Sequence, residues 1–195
     1  ILLAEDTRFS NKLLSHLGID GKIMPHHKFN EHKILHFIIS QLQEGKHVAL
    51  ISDAGTPAIS DPGFLLVREA VEKNIEVECL PGPTALIPAL AVSGLPSDRF
   101  VFEGFLPRKK GRQKRMDQLR EENRTMIFYE SPFRLVKTLA QMAEYFGGER
   151  RACVCRELSK LFEEKKRGTL DDLHKYYDEN TPKGEIVIVV EGKPK

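Results

Sequence analysis

Two acidic residues and an arginine stand close together near the start of the chain, in the run Glu5-Asp6-Thr7-Arg8. They follow the apolar run Ile1–Ala4, which is typical of a short β-strand. A carboxylate at a strand end can take a proton from a substrate, and an arginine can orient the substrate. We therefore take Glu5 and Asp6 as candidate catalytic residues and Arg8 as a candidate substrate contact. Asp6 or Thr7 could instead cap the helix that follows, and the spacing leaves both interpretations open.

A longer segment with ligand-binding character is Ser52–Gly63, which reads S-D-A-G-T-P-A-I-S-D-P-G. It follows the apolar run His47–Ile51, which predicts a buried parallel strand, and precedes an amphipathic helical pattern. Gly55 and Gly63 allow the backbone to approach a ligand, and the two prolines restrict φ. The segment exceeds the usual length of about 2–6 residues for a strand-to-helix loop. It is therefore predicted to be a rigid ligand loop, although a connection with good turn chemistry is the alternative.

A second loop of the same kind follows. The alternating run Ile75–Leu80 predicts a strand, and the apolar run Ala85–Val92 predicts a helix. Between them, Pro81–Thr84 forms a turn in which Thr84 is placed to cap the helix. Free N–H groups at such a helix start can bind a carboxylate or a phosphate. An ordinary capped turn is the competing interpretation.

Positive charge is concentrated in one short segment. The cations that lie within eight positions, with no acid among them, are Arg108, Lys109, Lys110, Arg112, Lys114 and Arg115. Without these six, the net charge of the chain would be −4 instead of +2. Such a cluster attracts a phosphate backbone and makes binding salt-dependent, so we predict contact with nucleic acid. The alternative is a solvated charged turn.

Composition and missing motifs exclude several classes of protein. With 41% apolar residues among 195, the chain can bury a core. The cysteines, Cys79, Cys153 and Cys155, lack C-x-x-C spacing, which fits a reducing cytosol and argues against a zinc site. His32 and His36 lack the glutamate of H-E-x-x-H, so we predict surface residues and no metal.

No apolar run reaches the ~18–20 residues of a membrane span, and no G-x-G-x-x-G or G-x-x-x-x-G-K-[ST] phosphate loop is present.

The predicted elements form two α/β domains. Strands alternate with helices up to Val92, which indicates a parallel sheet covered on both faces. The run Ser93–Ser97 breaks this pattern, so we place the domains at 1–96 and 97–195. In the second domain, Arg151–Glu157 and Phe162–Arg167 are separated by a short connection, which predicts an antiparallel pair and a mixed sheet. Cys153 and Cys155 are predicted to face the same side of their strand.

Together the two loops resemble the cofactor loops of the tetrapyrrole methylase superfamily, which binds S-adenosyl-L-methionine. More narrowly, the chain is similar to the small-subunit ribosomal RNA methyltransferases of that superfamily. The motifs that carry this similarity are L-A-E-D-T-R, H-H-K-F-N-E, F-E-G-F-L-P, F-Y-E-S-P-F-R and C-R-E-L-S-K. The resemblance implies a tetrapyrrole-methylase-like fold, with the cofactor in a cleft between two α/β domains. It also implies that a first strand and its loop would precede Ile1.

The resemblance further implies the activity and its partners: methylation of a cytidine ribose 2′-hydroxyl in 16S rRNA of the small ribosomal subunit, by a cytoplasmic homodimer. The implied cofactor contacts are Asp53, Ala54, Gly55, Thr56, Ile59, Thr84, Ala85, Glu130, Glu157 and Leu158. Glu130 and Glu157 could instead be strand-end carboxylates that pair with Arg134 and Lys160.

A ribose hydroxyl is a weak nucleophile that benefits from a base, for which Glu5, Asp6 and His27 are candidates. Asn30 and Glu31 match the family pattern and are predicted substrate contacts. The clustered charge adds five basic residues to the predicted substrate contacts: Arg108, Lys109, Lys110, Arg112 and Lys114. Asn30 could instead cap the helix predicted over Glu31–Glu44.

Two other functions stay open. One is a C-methyltransferase that acts on a tetrapyrrole. The six clustered cations argue against it, because a macrocycle with a few carboxylates hardly needs them for binding. The other is an RNA-binding module without catalysis.

Overall fold

The computed structural model describes residues 1–194, which form two compact units that divide between Thr84 and Ala85. The sequence placed this boundary after Pro96. The reason for the earlier division is the helix Leu86–Ser93, whose Leu86, Ala89 and Leu90 pack in the same core cluster as strand residues of the second unit. An apolar helix belongs to the sheet on which it buries its surface.

The first unit is a three-stranded parallel sheet with helices. Its elements are β1 (Leu2–Ala4), α1 (Thr7–Leu17), β2 (Ile23–Pro25), α2 (Glu31–Gln43), β3 (Ala49–Ile51) and α3 (Phe64–Glu72). The strand order is β2-β1-β3, and both pairings are parallel. Leu3 of the central strand packs with Ile38 and Ile39 of α2 and with Leu66 and Ala70 of α3. The carboxyl ends of all three strands therefore lie at one edge of the sheet.

The second unit is a mixed five-stranded sheet with helices. Its elements are α4 (Leu86–Ser93), β4 (Phe100–Phe105), α5 (Arg112–Leu119), β5 (Thr125–Glu130), α6 (Leu135–Phe146), β6 (Arg151–Arg156), β7 (Glu164–Thr169), α7 (Leu170–Glu179) and β8 (Ile186–Val190). The strand order is β4-β5-β8-β6-β7. Only β4 and β5 are parallel; the other pairings are antiparallel, including β6 with β7. The prediction of a mixed sheet is confirmed.

Local sequence signals explain several element ends. Gly18, with φ 65°, ends α1 in the left-handed region that glycine adopts at little cost. Thr169 begins α7 with a capping box completed by Asp172. Cys153 and Cys155 are both fully buried in the core under α4, with their Sγ atoms 3.7 Å apart. They face one side of β6, as the sequence indicated.

Three sequence predictions in the first unit and at its end are wrong. Ile75–Leu80 forms no strand and is mostly exposed; it pairs with no other strand in the part of the chain that the structure describes. A strand without a neighbour leaves its backbone groups to water. As a result β3 is an edge strand and is only partly buried, whereas the sequence predicted a buried strand there. Thr84 does not cap α4, because the helix begins after Ala85, which already has helical φ and ψ.

No helix within residues 1–194 combines the length and the apolar character that crossing a bilayer requires.

Candidate functional site

The strand ends of the first unit bring together charged residues that are far apart in the sequence. Glu5 follows β1, His27 lies just after β2, and Asp53 follows β3. Burial raises the pKa of Glu5, and the negative charges of Asp61 and Asp53 raise it further, while Lys28 and His27 oppose the shift. The charges of these groups therefore act on the Glu5 carboxylate, and β1, β2 and β3 end at the edge of the sheet where ligands bind in α/β folds. Asp61 and Lys28 were not singled out by the sequence analysis.

Glu5 is the better placed of the two predicted catalytic carboxylates. A carboxylate with a raised pKa is a stronger base once it has lost its proton. Acids with perturbed pKa values and specific charged neighbours are frequent at functional sites. The role of Glu5 as a proton acceptor stays a prediction, and the direction of its pKa shift supports it over Asp6.

Asp6 has a different environment, although it is the next residue. Its side chain accepts a hydrogen bond of 2.9 Å from Arg8 N at the start of α1, and Arg8 Nη2 approaches its Oδ2 at 2.6 Å. These hydrogen bonds with Arg8 lower the pKa of Asp6 to about 2. Asp6 thus caps the helix, the alternative left open by the sequence, and its carboxylate is a weak base. Arg8 is exposed and is oriented by this pair.

Asn30 connects the end of β2 to the start of α2 without capping the helix. Its side chain makes no capping hydrogen bond, contrary to that alternative. Instead its Oδ1 accepts from His27 N at 2.8 Å, and its Nδ2 donates to Pro25 O at 2.8 Å. Asn30 therefore fixes the backbone that carries His27 beside Glu5. Glu31 occupies the first turn of α2.

The loop Ser52–Gly63 is held by its own polar groups. Ser52 Oγ donates to Asp61 Oδ2 at 2.6 Å, and Ala54 N donates to Ser52 Oγ at 3.3 Å. A Cβ on Gly63, whose φ is 138°, would lie 2.7 Å from the Leu50 side chain. Gly55, with φ 87°, lies in the first half of the loop and is exposed. These contacts support the prediction of a rigid loop, and the backbone at Gly55 is exposed.

The second predicted loop meets the first within the same unit. Thr56 Oγ1 donates to Pro83 O at 3.1 Å. Asp53, Ala54 and Ile59 are exposed. Small side chains, exposed backbone donors and a fixed loop suit the flat base and ribose of a nucleoside cofactor. The roles of Thr84 and Ala85, which flank the division between the units, stay predictions.

In the second unit, Glu130 belongs to a buried network. Its Oε1 accepts from Ser131 N at 2.7 Å and from Arg134 Nη2 at 2.6 Å, and its Oε2 accepts from Thr138 Oγ1 at 2.7 Å. The Thr138 hydroxyl in turn accepts from Arg112 Nη2 at 2.8 Å. Glu130 thus pairs with Arg134, which is the alternative that the sequence left open. Its role as a cofactor contact stays a prediction.

Glu157 is likewise engaged within the second unit. Its Oε1 accepts from Glu185 N at 2.8 Å and from Lys160 Nζ at 3.1 Å, which lowers its pKa. Leu158 packs against the core under α4. Both residues lie in the turn after β6, where Glu157 has a positive φ of 49°. The pairing with Lys160 is the other alternative that the sequence left open.

The basic run divides into two groups of residues. Arg112 is buried and donates to Gln141, Pro107 O and Thr138, so it holds the preceding turn in place and is not free to bind RNA. Arg115 is paired with both carboxylate oxygens of Glu103. Among residues 1–194 the cations without a carboxylate partner in this run are Arg108, Lys109, Lys110 and Lys114, all exposed. The contact of Arg112 with RNA stays a prediction, and the burial of its side chain argues against it.

Residues 1–174 match the family described as Tetrapyrrole (Corrin/Porphyrin) Methylases. Curated relatives are named ribosomal RNA small subunit methyltransferase I. That of Pseudomonas aeruginosa is 52% identical over 98% of this chain and 69% of its own length. That of Escherichia coli O157:H7 is 45% identical over 98% of this chain and 68% of its own length. That of Thermotoga maritima is 44% identical over 99% of this chain and 86% of its own length.

Solved structures share the fold at low sequence identity. Diphthine synthase has a TM-score of 0.70 at 12% identity, over 98% of this chain and 78% of its own. Uroporphyrin-III C-methyl transferase from Thermus thermophilus, complexed with S-adenyl homocysteine, has a TM-score of 0.64 at 14% identity. That similarity covers 97% of this chain and 84% of the other. The predicted fold class is confirmed.

Proposed function

Because this chain belongs to the tetrapyrrole methylases and, within them, to the ribosomal RNA small subunit methyltransferase I family, we propose that it methylates ribosomal RNA of the small subunit with S-adenosyl-L-methionine as the methyl donor. The acceptor is the 2′-hydroxyl of a cytidine ribose in 16S rRNA. The observation that carries this function is the 52% identity to a so-named relative over nearly the whole chain.

The residues of the first unit fit the cofactor. S-adenosylmethionine, when bound, supplies a methyl group on a sulfonium centre. Gly55, exposed and left-handed, brings the loop backbone close to a ligand, and the Thr56–Pro83 hydrogen bond fixes the two loops against each other. Asp53, Ala54 and Ile59 complete the exposed part of the loop. A fixed cradle of this kind positions reactants in line, and positioning alone lowers the barrier to methyl transfer.

The acceptor hydroxyl needs to lose its proton as the bond from oxygen to the methyl carbon forms. In our proposal the Glu5 carboxylate accepts this proton. Burial, and then the charges of Asp61 and Asp53, raise the pKa of Glu5 and so strengthen it as a base. Asn30 fixes the backbone of His27 at the end of the neighbouring strand. Asp6 acts only through the geometry of α1.

The RNA is held in this proposal by the exposed cations Arg108, Lys109, Lys110 and Lys114. Phosphate contacts position a nucleic acid without reading its sequence, while an unstacked base is recognised by shape and stacking. The roles of Glu130, Glu157 and Leu158 toward the cofactor remain part of the proposal. A cytoplasmic location and a homodimeric state are also part of the proposal. Sedimentation equilibrium measures the oligomeric state.

The test is methyl transfer from labelled S-adenosylmethionine to isolated small ribosomal subunits and, in a parallel reaction, to a uroporphyrinogen macrocycle. Nucleosides released from the RNA are then analysed by mass. We expect label on a ribose-methylated cytidine. Label on the macrocycle alone would replace this function with tetrapyrrole C-methylation. Label on neither acceptor, with RNA still bound, would leave a binding module without catalysis.

A further inference from the structure

A groove in the second unit lies beside the basic turn, which we define as Arg108–Gly111. The groove has a volume of about 360 Å³ and is lined by Glu103, Phe105, Leu106, Pro107, Gly111, Lys114, Arg115 and Gln118. It lies outside the loops assigned to the cofactor. We propose that this groove binds one unstacked nucleotide of the RNA, with Phe105 as the platform for its base. The inference rests on the proposed function and adds a substrate subsite to it.

Phe105 has the exposure and the support that a stacking platform needs. Its side chain is 51% exposed, so part of its surface is available to a ligand. Its ring contacts Tyr129 edge-on, with centroids 5.7 Å apart, and Tyr129 in turn contacts Phe102 at 5.0 Å. The ring is therefore held from one side by an aromatic row and leaves surface free for a base.

A bulge at the end of β4 sets the position of this ring. The register of β4 against β5 shifts between Phe102 and Gly104, and Gly104 has φ 59°. A bulge bends its strand and changes the direction of the side chains that follow, and such bulges are frequent beside active sites. Phe105 is the next residue.

The groove offers side-chain donors that have no partner among its carboxylates. Glu103 is occupied, because both of its oxygens accept from Arg115 at 2.7 and 2.6 Å. Arg115 Nη1 also donates to Gln118 Oε1 at 3.2 Å, which leaves the amide Nε2 of Gln118 to donate elsewhere. Lys114 Nζ has no carboxylate partner within residues 1–194. Donors match the phosphate oxygens and the carbonyl and ring-nitrogen acceptors of a nucleotide.

The basic turn is fixed at the rim of the groove by Arg112. Arg112 Nη1 donates back to Pro107 O at 3.2 Å, and its N donates to Lys109 O at 3.2 Å, so the turn is closed by its own arginine. The backbone of Arg108–Lys110 is therefore held between Pro107 and Gly111, both of which line the groove, and the three side chains are exposed. A phosphate held by the turn brings its own base within reach of Phe105. Aromatic stacking combined with cations is the usual way in which single-stranded RNA is bound.

The experiment compares four variants by fluorescence anisotropy with a labelled single-stranded oligoribonucleotide. Phe105→Ala is expected to raise Kd about tenfold or more, because an aromatic platform contributes that much per stacked base. Phe105→Leu keeps the apolar volume but should lose affinity as Phe105→Ala does, whereas Phe105→Tyr should bind like the original chain. The matched control is Phe162→Ala, which removes another exposed phenylalanine of the same unit. Thermal unfolding of each variant identifies any loss of folding.

Binding by Phe105→Leu at the original affinity, or equal effects of Phe105→Ala and Phe162→Ala, would overturn the proposal. The methyl-transfer assay separates this failure from failure of the proposed function. If the unaltered chain methylates small subunits while the Phe105 variants retain KM, the groove is wrong and the function stands. If the unaltered chain transfers no methyl group but its oligonucleotide affinity depends on Phe105, the function is wrong and the groove stands.

Discussion

The neighbours Glu5 and Asp6 have carboxylates of opposite character, because one is partly buried among negative charges and the other is bonded to Arg8. We expect Glu5→Gln to lower the rate of methyl transfer by about a hundredfold or more, the usual contribution of a general base. Asp6→Asn should leave the rate nearly unchanged, because asparagine caps a helix about as well as aspartate. Single-turnover kinetics with labelled S-adenosylmethionine measures both rates.

The pH dependence provides the control for this assignment. A base acts when it has lost its proton, and the pKa of Glu5 is raised above its ordinary value of 4.5. The rate should therefore rise with pH through a value above 4.5, and Glu5→Gln should remove this rise. An unchanged profile in Glu5→Gln, or an equal loss of rate in Asp6→Asn, would exclude Glu5 as the base.

Gly55 can be tested against a glycine with almost the same backbone. Gly55 and Gly45 have φ values of 87° and 84°, and both lie in the first unit. Valine at either position should lower the free energy of unfolding by roughly 1–2 kcal/mol, the cost of a left-handed conformation for a residue with a Cβ. Only Gly55→Val should lose S-adenosylmethionine binding in calorimetric titration. Normal cofactor affinity of Gly55→Val would contradict the loop assignment, as would equal losses in both variants.

At the scale of elements, the basic turn and the buried Arg112 make different contributions to RNA binding. The double variant Lys109→Ala, Lys110→Ala should reduce the slope of log affinity against log salt concentration by about two, roughly one for each lost phosphate contact. Removing two lysines elsewhere in the same unit, by Lys175→Ala and Lys183→Ala, should leave the slope unchanged. Filter binding of small subunits over a range of salt concentrations measures the slopes. An equal reduction in both pairs would show only a general charge effect.

Thr138 connects α5 to the end of β5 through one hydroxyl. It accepts from Arg112 and donates to Glu130, and all three residues are buried. Thr138→Val keeps the shape but leaves each charged neighbour short of one partner, so we expect a loss of about 2–4 kcal/mol in the free energy of unfolding. The control is Thr181→Val at an exposed position, which should change stability by less than about 0.5 kcal/mol. Urea unfolding measures both, and similar values for the two would contradict a structural role of the network.

Hydrophobic periodicity and turn chemistry were sufficient to predict most elements, including the antiparallel pair β6–β7. They could not predict that Ile75–Leu80 stays unpaired, because alternation shows which residues suit a strand and not whether a neighbouring strand exists. Similarly, the basic run gave no sign that Arg112 is buried. Its partners Thr138 and Gln141 lie far away in the sequence on α6. Charge clustering is local, whereas burial is decided by tertiary contacts.

The candidate site shows the same division between local and tertiary information. The sequence was sufficient to predict the loop around Gly55, because its glycines, its prolines and the length of the segment between strand and helix can be read directly. It could not separate Glu5 from Asp6, because the pKa of each depends on groups from other strands and on the fold of α1. Asp61 was likewise visible as an acid in the loop, but its proximity to Glu5 follows only from the parallel order of β1 and β3.

At the scale of the molecule, the two units differ in the size of their cores. The first unit has three strands of three residues each and a single core cluster of buried residues: Leu3, Ile38, Ile39, Leu66 and Ala70. The second unit has two clusters, one on each face of a five-stranded sheet. Buried apolar area is the main source of stability, so the first unit should open more readily.

Native-state hydrogen exchange followed by mass spectrometry can detect this difference. Without cofactor, amides of β1 and β3 should exchange faster than those of β5, β6 and β8. Saturating S-adenosylmethionine, at about 100 times its Kd, should stabilise the unit that binds it by about 2.7 kcal/mol and slow exchange through its opening about 100-fold. The Gly55→Val variant at the same cofactor concentration is the control and should show no such slowing. Equal exchange in both units without cofactor would contradict the difference in core stability, and slowing that persists in Gly55→Val would place the cofactor away from this loop.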